Sequence, residues 1–235
     1  MQKKIILFLL LILAFSVSGA NAGLTGHYFN LPANHPDMET AITGVRTGMV
    51  NSMLTGSAPT LTAYGGTLVN QFDWWDNSYY VGSRYDSDAN LNGGWTTNFF
   101  PDFNAEFGSG PLPGDPYYFA VHWTGSFYVA ENKTYTYSMG SDDDSWLFID
   151  DQLKLDLGGI HAISYNSYNV TLTQGWHNID IFFAERHRVQ SGFQLDFFSD
   201  LQPRQTEPVP EPATFLLVGL GLVGGAVTKR LKRKA

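Results

Sequence analysis

Phe119, Ala120, Val121, His122, Trp123, Thr124 alternates large apolar side chains with smaller or polar ones, the period of two that places successive residues on opposite faces of a β-strand. Working outward, Tyr135, Tyr137 and Met139 alternate with Thr134, Thr136 and Ser138. Ile179, Ile181 and Phe183, and then Phe193, Leu195 and Phe197, make two further runs of the same kind, separated by a polar loop from Glu185 to Gly192. Short strands punctuated by Gly, Asn and Asp predict an all-β domain, a sandwich or squat barrel. Trp146, Phe148, Tyr135 and Tyr137 fall at strand spacing and are expected in its core. The stretch from Asp73 to Pro116 is rich in Asn, Gly, Asp and aromatic residues with little periodicity, and it predicts long loops.

Between the second and third of these runs the chain reads Gly140, Ser141, Asp142, Asp143, Asp144, Ser145, Trp146. Three adjacent carboxylates repel one another, and a regular strand cannot turn all three to one partner. A bound cation relieves both problems, and calcium, a hard ion that takes oxygen ligands, suits carboxylates best. The alternative is a solvated turn, since aspartate bonds its own backbone. Asp150 and Asp151, between Phe148 and Leu153, are expected to close a hairpin.

The two ends of the chain are targeting segments. Lys3 and Lys4, the apolar run from Ile5 to Val17, and Ala20, Asn21, Ala22 form the three parts of a secretory signal peptide over residues 1–22. The mature domain is expected at 23–201, followed by a linker at 202–209 and a tail at 210–235. The tail holds a hydrophobic helix of roughly 213–228 before a basic end at 229–235. A helix of about 15 residues rises roughly 22 Å and crosses the hydrocarbon layer only with snorkelling lysines or local thinning. Its basic flank predicts a cytoplasmic end, with the domain on the far side of the membrane.

The chain of 235 residues has a net charge of −8, but seven of its 14 Lys and Arg lie in the terminal segments. Residues 23–212 therefore carry 7 basic against 22 acidic residues, a net charge of −15, which argues against nucleic acid or other phosphate-rich partners. The absence of cysteine excludes disulfides, thiolate zinc sites and cysteine nucleophiles. His161, His177 and His187 match no zinc spacing.

Pro210, Glu211, Pro212, the hydrophobic stretch and the basic end resemble the PEP-CTERM sorting tail of Gram-negative bacteria. That resemblance implies an exosortase as partner, transient anchoring in the inner membrane, and delivery to the cell surface or extracellular polysaccharide. An ordinary membrane anchor is the alternative. In the body of the chain, residues 23–28, 119–125 and 141–143 resemble the PA-14 domain, a β-sandwich. Its fibro-slime subtype is closer still, through His35, Pro36, Asp37, through Asp143, Asp144, Ser145, Trp146, through Asp156 to His161, and through Phe182 to His187.

In PA-14 lectins two consecutive aspartates joined by a cis peptide bond bind calcium, which in turn binds sugar. The resemblance places that pair at Asp142 and Asp143, with a further ligand, Glu185, from the region before the last strand. The lectins' asparagine ligand has no counterpart there. Asp144, His161, Arg186, His187 and Gln190 are expected as neighbours of the site, and Trp74, Trp75 and Trp95 as aromatic faces for a sugar. Three functions follow: a calcium-dependent carbohydrate-binding adhesion module, a structural matrix protein whose calcium only stiffens the fold, or a glycosidase using Asp143 and Glu185.

Overall fold

The computed structural model describes residues 23–40, 44–87, 99–107, 114–196 and 202–203. The signal peptide, the sorting tail, Trp95 and Phe197 lie outside the described residues. Among the described residues ten strands make two antiparallel sheets. They are β1 (Gly23–Asn30), β2 (Tyr80–Ser87), β3 (Phe119–Val129), β4 (Lys133–Asp142), β5 (Asp144–Ile149), β6 (Gln152–Leu157), β7 (Ser164–Leu172), β8 (Gly175–Glu185), β9 (Gly192–Asp196) and β10 (Gln202–Pro203). The larger sheet runs β2-β1-β3-β8-β5-β6, with β10 also on β3, and the smaller runs β7-β4-β9. The predicted sandwich is present, and its core is the alternation read from the sequence: Phe119, Val121, Trp123, Tyr137, Met139, Ile181, Phe183 and Leu195 are buried between the sheets.

The opposite face of the larger sheet is buried as well. All six residues of β5 are buried, although only alternate ones can face the smaller sheet. A third layer explains this. Phe29, Ala120, Trp146, Phe148, Phe182 and Ala184 point away from the smaller sheet and pack against Leu31, Met38, Met49, Val50, Leu54, Val69, Trp74 and Trp75. The covering segment, which begins after β1 and ends before β2, is a cap whose described residues form single turns of 3-10 helix and isolated β-bridges.

Side chains bonding to backbone hold the cap. Asp37 accepts from the main-chain N–H of Asn70 at 2.5 Å and Phe72 at 3.0 Å, and from the Trp74 indole at 3.0 Å. Asp156 accepts from the Trp146 indole at 2.8 Å and from Gly48 N–H at 2.7 Å, which ties the cap to β6. His35 pairs with Asp73 at 2.7 Å. Much of the fibro-slime resemblance therefore marks the clasp of this layer.

One sequence expectation needs correction. The stretch from Asp73 to Pro116 is not loop throughout: it contains β2, paired along β1, and a short helix α1 (Phe103–Phe107). Arg84 and Asp86 break the apolar alternation of β2, yet Asp86 is buried, because it accepts from Tyr28 Oη at 2.6 Å and from the Trp123 indole at 2.7 Å. The hairpin expected at Asp150 and Asp151 is present. Both residues have positive φ, 49° and 63°, the backbone of a two-residue turn that matches strand twist.

Candidate functional site

The chain crosses from the smaller sheet to the larger between Asp142, the last residue of β4, and Asp144, the first of β5. The Asp142–Asp143 peptide bond is cis. Two further strand ends meet the crossing: Asp144 lies opposite Ala184 near the end of β8, and Asp142 lies opposite Gly192 at the start of β9. Asp142, Asp143 and Glu185 are thereby brought together, all buried, with a carboxylate oxygen from each within 4.8 Å of the others.

The surroundings of these groups differ from one to the next. Asp143 accepts from His161 N–H at 2.8 Å and Arg186 N–H at 3.1 Å, one bond to each oxygen. Glu185 accepts from His187 N–H at 2.9 Å through Oε1, while Oε2 is buried with no hydrogen-bond donor upon it. Asp144 is engaged separately: it accepts from Gly159 N–H at 2.5 Å and from Arg186 Nε at 2.8 Å in an ion pair with no exposure on either side. The Arg186 guanidinium also lies over the Trp74 ring at 4.7 Å and donates to Asp37 O at 3.0 Å. The nearest guanidinium is thus spent on Asp144 and the cap rather than on the three clustered carboxylates.

Electrostatics follow from this burial. Asp143 is pushed up to about 8, first by burial and then by the charge of Asp144, against the two main-chain N–H bonds that pull it down. Burial, followed by the charge of Asp143, holds Glu185 well above the ordinary carboxyl range. Burial also raises Asp142. A cluster with these shifts is frustrated as three anions and is relieved by a cation or by protons.

A hard cation fits what is there. Oxygens bound to one calcium ion at about 2.4 Å cannot lie more than about 4.8 Å apart, and three carboxylates are the donor chemistry that ion takes. The unbonded Oε2 of Glu185 is the donor atom such an ion would use. Histidine ligation fits poorly. Both ring nitrogens of His161 face main-chain oxygens, Ala162 at 2.9 Å and Leu157 at 3.2 Å, and His177 pairs with Asp150 at 2.5 Å in the hairpin. His187 lies 3.4 Å from Glu39, half exposed.

Above the carboxylates opens a cleft of about 460 Å³, lined by Glu39, Thr40, Gly44, Asp142, Asp143, Ile160, His161, Ala162, His187, Val189 and Gln190. Of the expected site neighbours, His161, His187 and Gln190 line it, whereas Asp144 and Arg186 form the buried pair beneath. Asp144 is the first residue of β5 and fully buried, which excludes a solvated turn for it. Trp74 and Trp75 are not platforms for a sugar. Trp74 is fully buried and Trp75 nearly so, because both fill the layer beneath the cap against Phe72 and Trp146. Sequence reasoning missed Glu39 and Thr40 because they come from the cap, a segment without periodicity.

The PA14 domain model matches residues 21–208, most of the chain and all of its described part. The chain belongs to the PA14 domain family. A second model, the PEP-CTERM protein-sorting motif, matches residues 208–233. Protein psiR of Dictyostelium discoideum is 28% identical over 233 residues, which cover 83% of this chain and 23% of psiR. Protein psiD of the same organism is 33% identical over 113 residues, 43% of this chain and 22% of psiD. The PA14 chain thus spans less than a quarter of the length of these relatives. Among solved structures, the PA14 sugar-binding domain from an RTX adhesin is similar with a TM-score of 0.45 at 15% identity, over 75% of this chain and 88% of that one. The epithelial adhesin 9 A domain from Candida glabrata, in complex with Galβ1-4GlcNAc, is similar with a TM-score of 0.39 at 15% identity, over 75% and 81% of the two chains.

Proposed function

We propose that this chain is an exported bacterial surface or extracellular-matrix protein whose PA14 domain binds glycan with the help of a calcium ion. The observation that carries the reading is the trio of buried carboxylates, of which Asp142 and Asp143 line an open cleft and Glu185, behind them, has one oxygen without a hydrogen-bond partner. Asp142, Asp143 and Glu185 would hold the ion. The ion would supply coordination positions that take vicinal hydroxyls of a sugar, and the cleft walls leave room above it for such a ligand. The His161 and Arg186 main-chain N–H groups fix the Asp143 carboxylate, and the Asp144–Arg186 pair holds the crossing in place from below.

The PEP-CTERM match at the C-terminus supports sorting by an exosortase. Residues 1–22 would direct export, and the hydrophobic stretch of the tail would anchor the chain in the inner membrane before processing. Among the described residues no helix is long and apolar enough to cross a membrane. A place in exopolysaccharide or biofilm follows from this route. Glu185 is fully buried, so it cannot flank a glycosidic bond as a hydrolase requires, and binding rather than catalysis is the better reading.

The test is a thermal melt of the purified protein with calcium chloride or with EGTA, followed by a glycan array under the same two conditions. Calcium-dependent stabilisation with calcium-dependent glycan signal supports the proposal. Stabilisation without any glycan signal transfers the site to a purely structural role, and the absence of stabilisation removes the ion.

A further inference from the structure

The smaller sheet leaves the outward residues of β7, Tyr165, Ser167, Asn169 and Thr171, exposed. Its outer face carries one large aromatic side chain set against a glycine. In the β4–β7 register Tyr165 lies opposite Gly140, and a Cβ built at Gly140 would fall 2.3 Å from Cε1 and 2.4 Å from Cδ1 of that ring. The ring therefore occupies the space that a side chain at 140 would take, lying along the sheet instead of standing off it. Tyr165 is nonetheless 57% exposed, so much of the ring faces solvent.

Gly140 and Asp142 are two residues apart on β4, hence on the same face and about 7 Å apart along the strand. That step is comparable with the length of one pyranose unit. On the same face beside the ring, Thr136 donates to Asn169 at 2.6 Å, and Ser138 lies between Ser167 of β7 and Asp196 of β9. With Asp142 and Asp196 on this face, in a domain with so large an excess of acid, an anionic sugar is repelled and a neutral ligand is favoured. An aromatic face bordered by hydroxyls and amides matches a sugar ring, apolar on its C–H face and polar at its edge.

We infer that Tyr165 is a second glycan subsite, so that a neutral oligosaccharide whose first unit sits in the carboxylate cleft lays its next unit on the Tyr165 ring. The inference rests on the glycan reading above and adds to it the ligand class: a chain of two or more neutral units rather than a single terminal sugar.

The test uses the purified protein in calcium buffer with mono-, di- and tetrasaccharides of mannose, glucose and galactose, titrated calorimetrically against wild type, Tyr165→Ala and Tyr165→Phe. In the series that binds, wild type gains affinity from mono- to disaccharide. Tyr165→Ala loses that gain, roughly tenfold, with monosaccharide affinity unchanged, and Tyr165→Phe keeps most of it. The calcium-induced rise in melting temperature of Tyr165→Ala, equal to wild type, shows an intact fold and cleft.

A Tyr165→Ala protein with wild-type disaccharide affinity overturns the subsite while leaving the glycan reading in place. So does an equal loss for mono- and disaccharide, or a wild type that binds both equally. No calcium-dependent sugar binding by wild type overturns the glycan reading, and the subsite falls with it.

Discussion

Glu185 and Arg186 are neighbours in sequence with opposite demands. Glu185 brings a buried carboxylate to two others, and one of its oxygens has no donor. In the ion-free protein, Glu185→Gln removes a like charge from the cluster and is expected to raise stability by about 1 kcal/mol or more, while abolishing the calcium-induced rise in melting temperature. Parallel melts in EGTA and in calcium check both halves, and a variant that still responds fully to calcium removes Glu185 from the ligand set. Arg186 is the reverse case. Its guanidinium neutralises Asp144 where neither group meets water. Arg186→Met leaves that carboxylate buried and uncompensated, at an expected cost of about 3–5 kcal/mol in urea unfolding. A loss below about 1 kcal/mol would mean that the pair is not buried as described.

At the scale of elements, what could be read beforehand tracks where the restraining bonds lie. β3, β4, β8 and β9 announce themselves because their order is local, an alternation visible within six residues. β2 is hidden because Asp86, charged and two residues from Arg84, is stabilised by partners on β1 and β3 more than 30 residues away. The cap is hidden for the same reason, and the misreading of Trp74 and Trp75 follows from it: without knowledge of a third layer, tryptophans in an aperiodic stretch read as exposed faces. Asp142, Asp143 and Glu185 were legible through adjacency and family resemblance, whereas Glu39 and Thr40 on the cleft wall were not.

The cap's dependence on a few long-range bonds is testable at Asp37. Burial works to raise this carboxyl, but the N–H groups of Asn70, Phe72, Trp74 and Gln71 outweigh burial and hold it below its ordinary value. A carboxyl whose folded pKa is depressed stabilises the fold above its unfolded value, about 3.9, and that contribution disappears as pH falls through the depressed value. Asp37→Asn is therefore expected to cost about 2–3 kcal/mol at pH 7, with the deficit shrinking below pH 4. Urea unfolding at pH 7, 4 and 3 measures this. Hydrogen exchange should show faster exchange at Asn70 and Phe72 in the variant, and unchanged protection there would separate the cap from Asp37.

For the whole molecule, the proposed ion joins both sheets. Its three ligands end β4, follow its crossing and end β8, and β4 and β8 lie in different sheets. Separation of the sheets would break the ligand set, so the proposed ion would bind the folded state alone and would stabilise it. Calcium at 100 times its dissociation constant then adds about 2.7 kcal/mol, and a domain of this size gains about 2–4 °C for each kcal/mol. The expected rise in melting temperature is roughly 5–10 °C and continues with the logarithm of calcium concentration. Magnesium should give much less, because it demands tight octahedral geometry and keeps its waters. Scanning calorimetry across a calcium series and a magnesium series decides the point. Equal shifts from the two ions would reduce the site to general screening of an acidic surface, and a calcium shift that survives in Asp143→Asn would place the ion elsewhere.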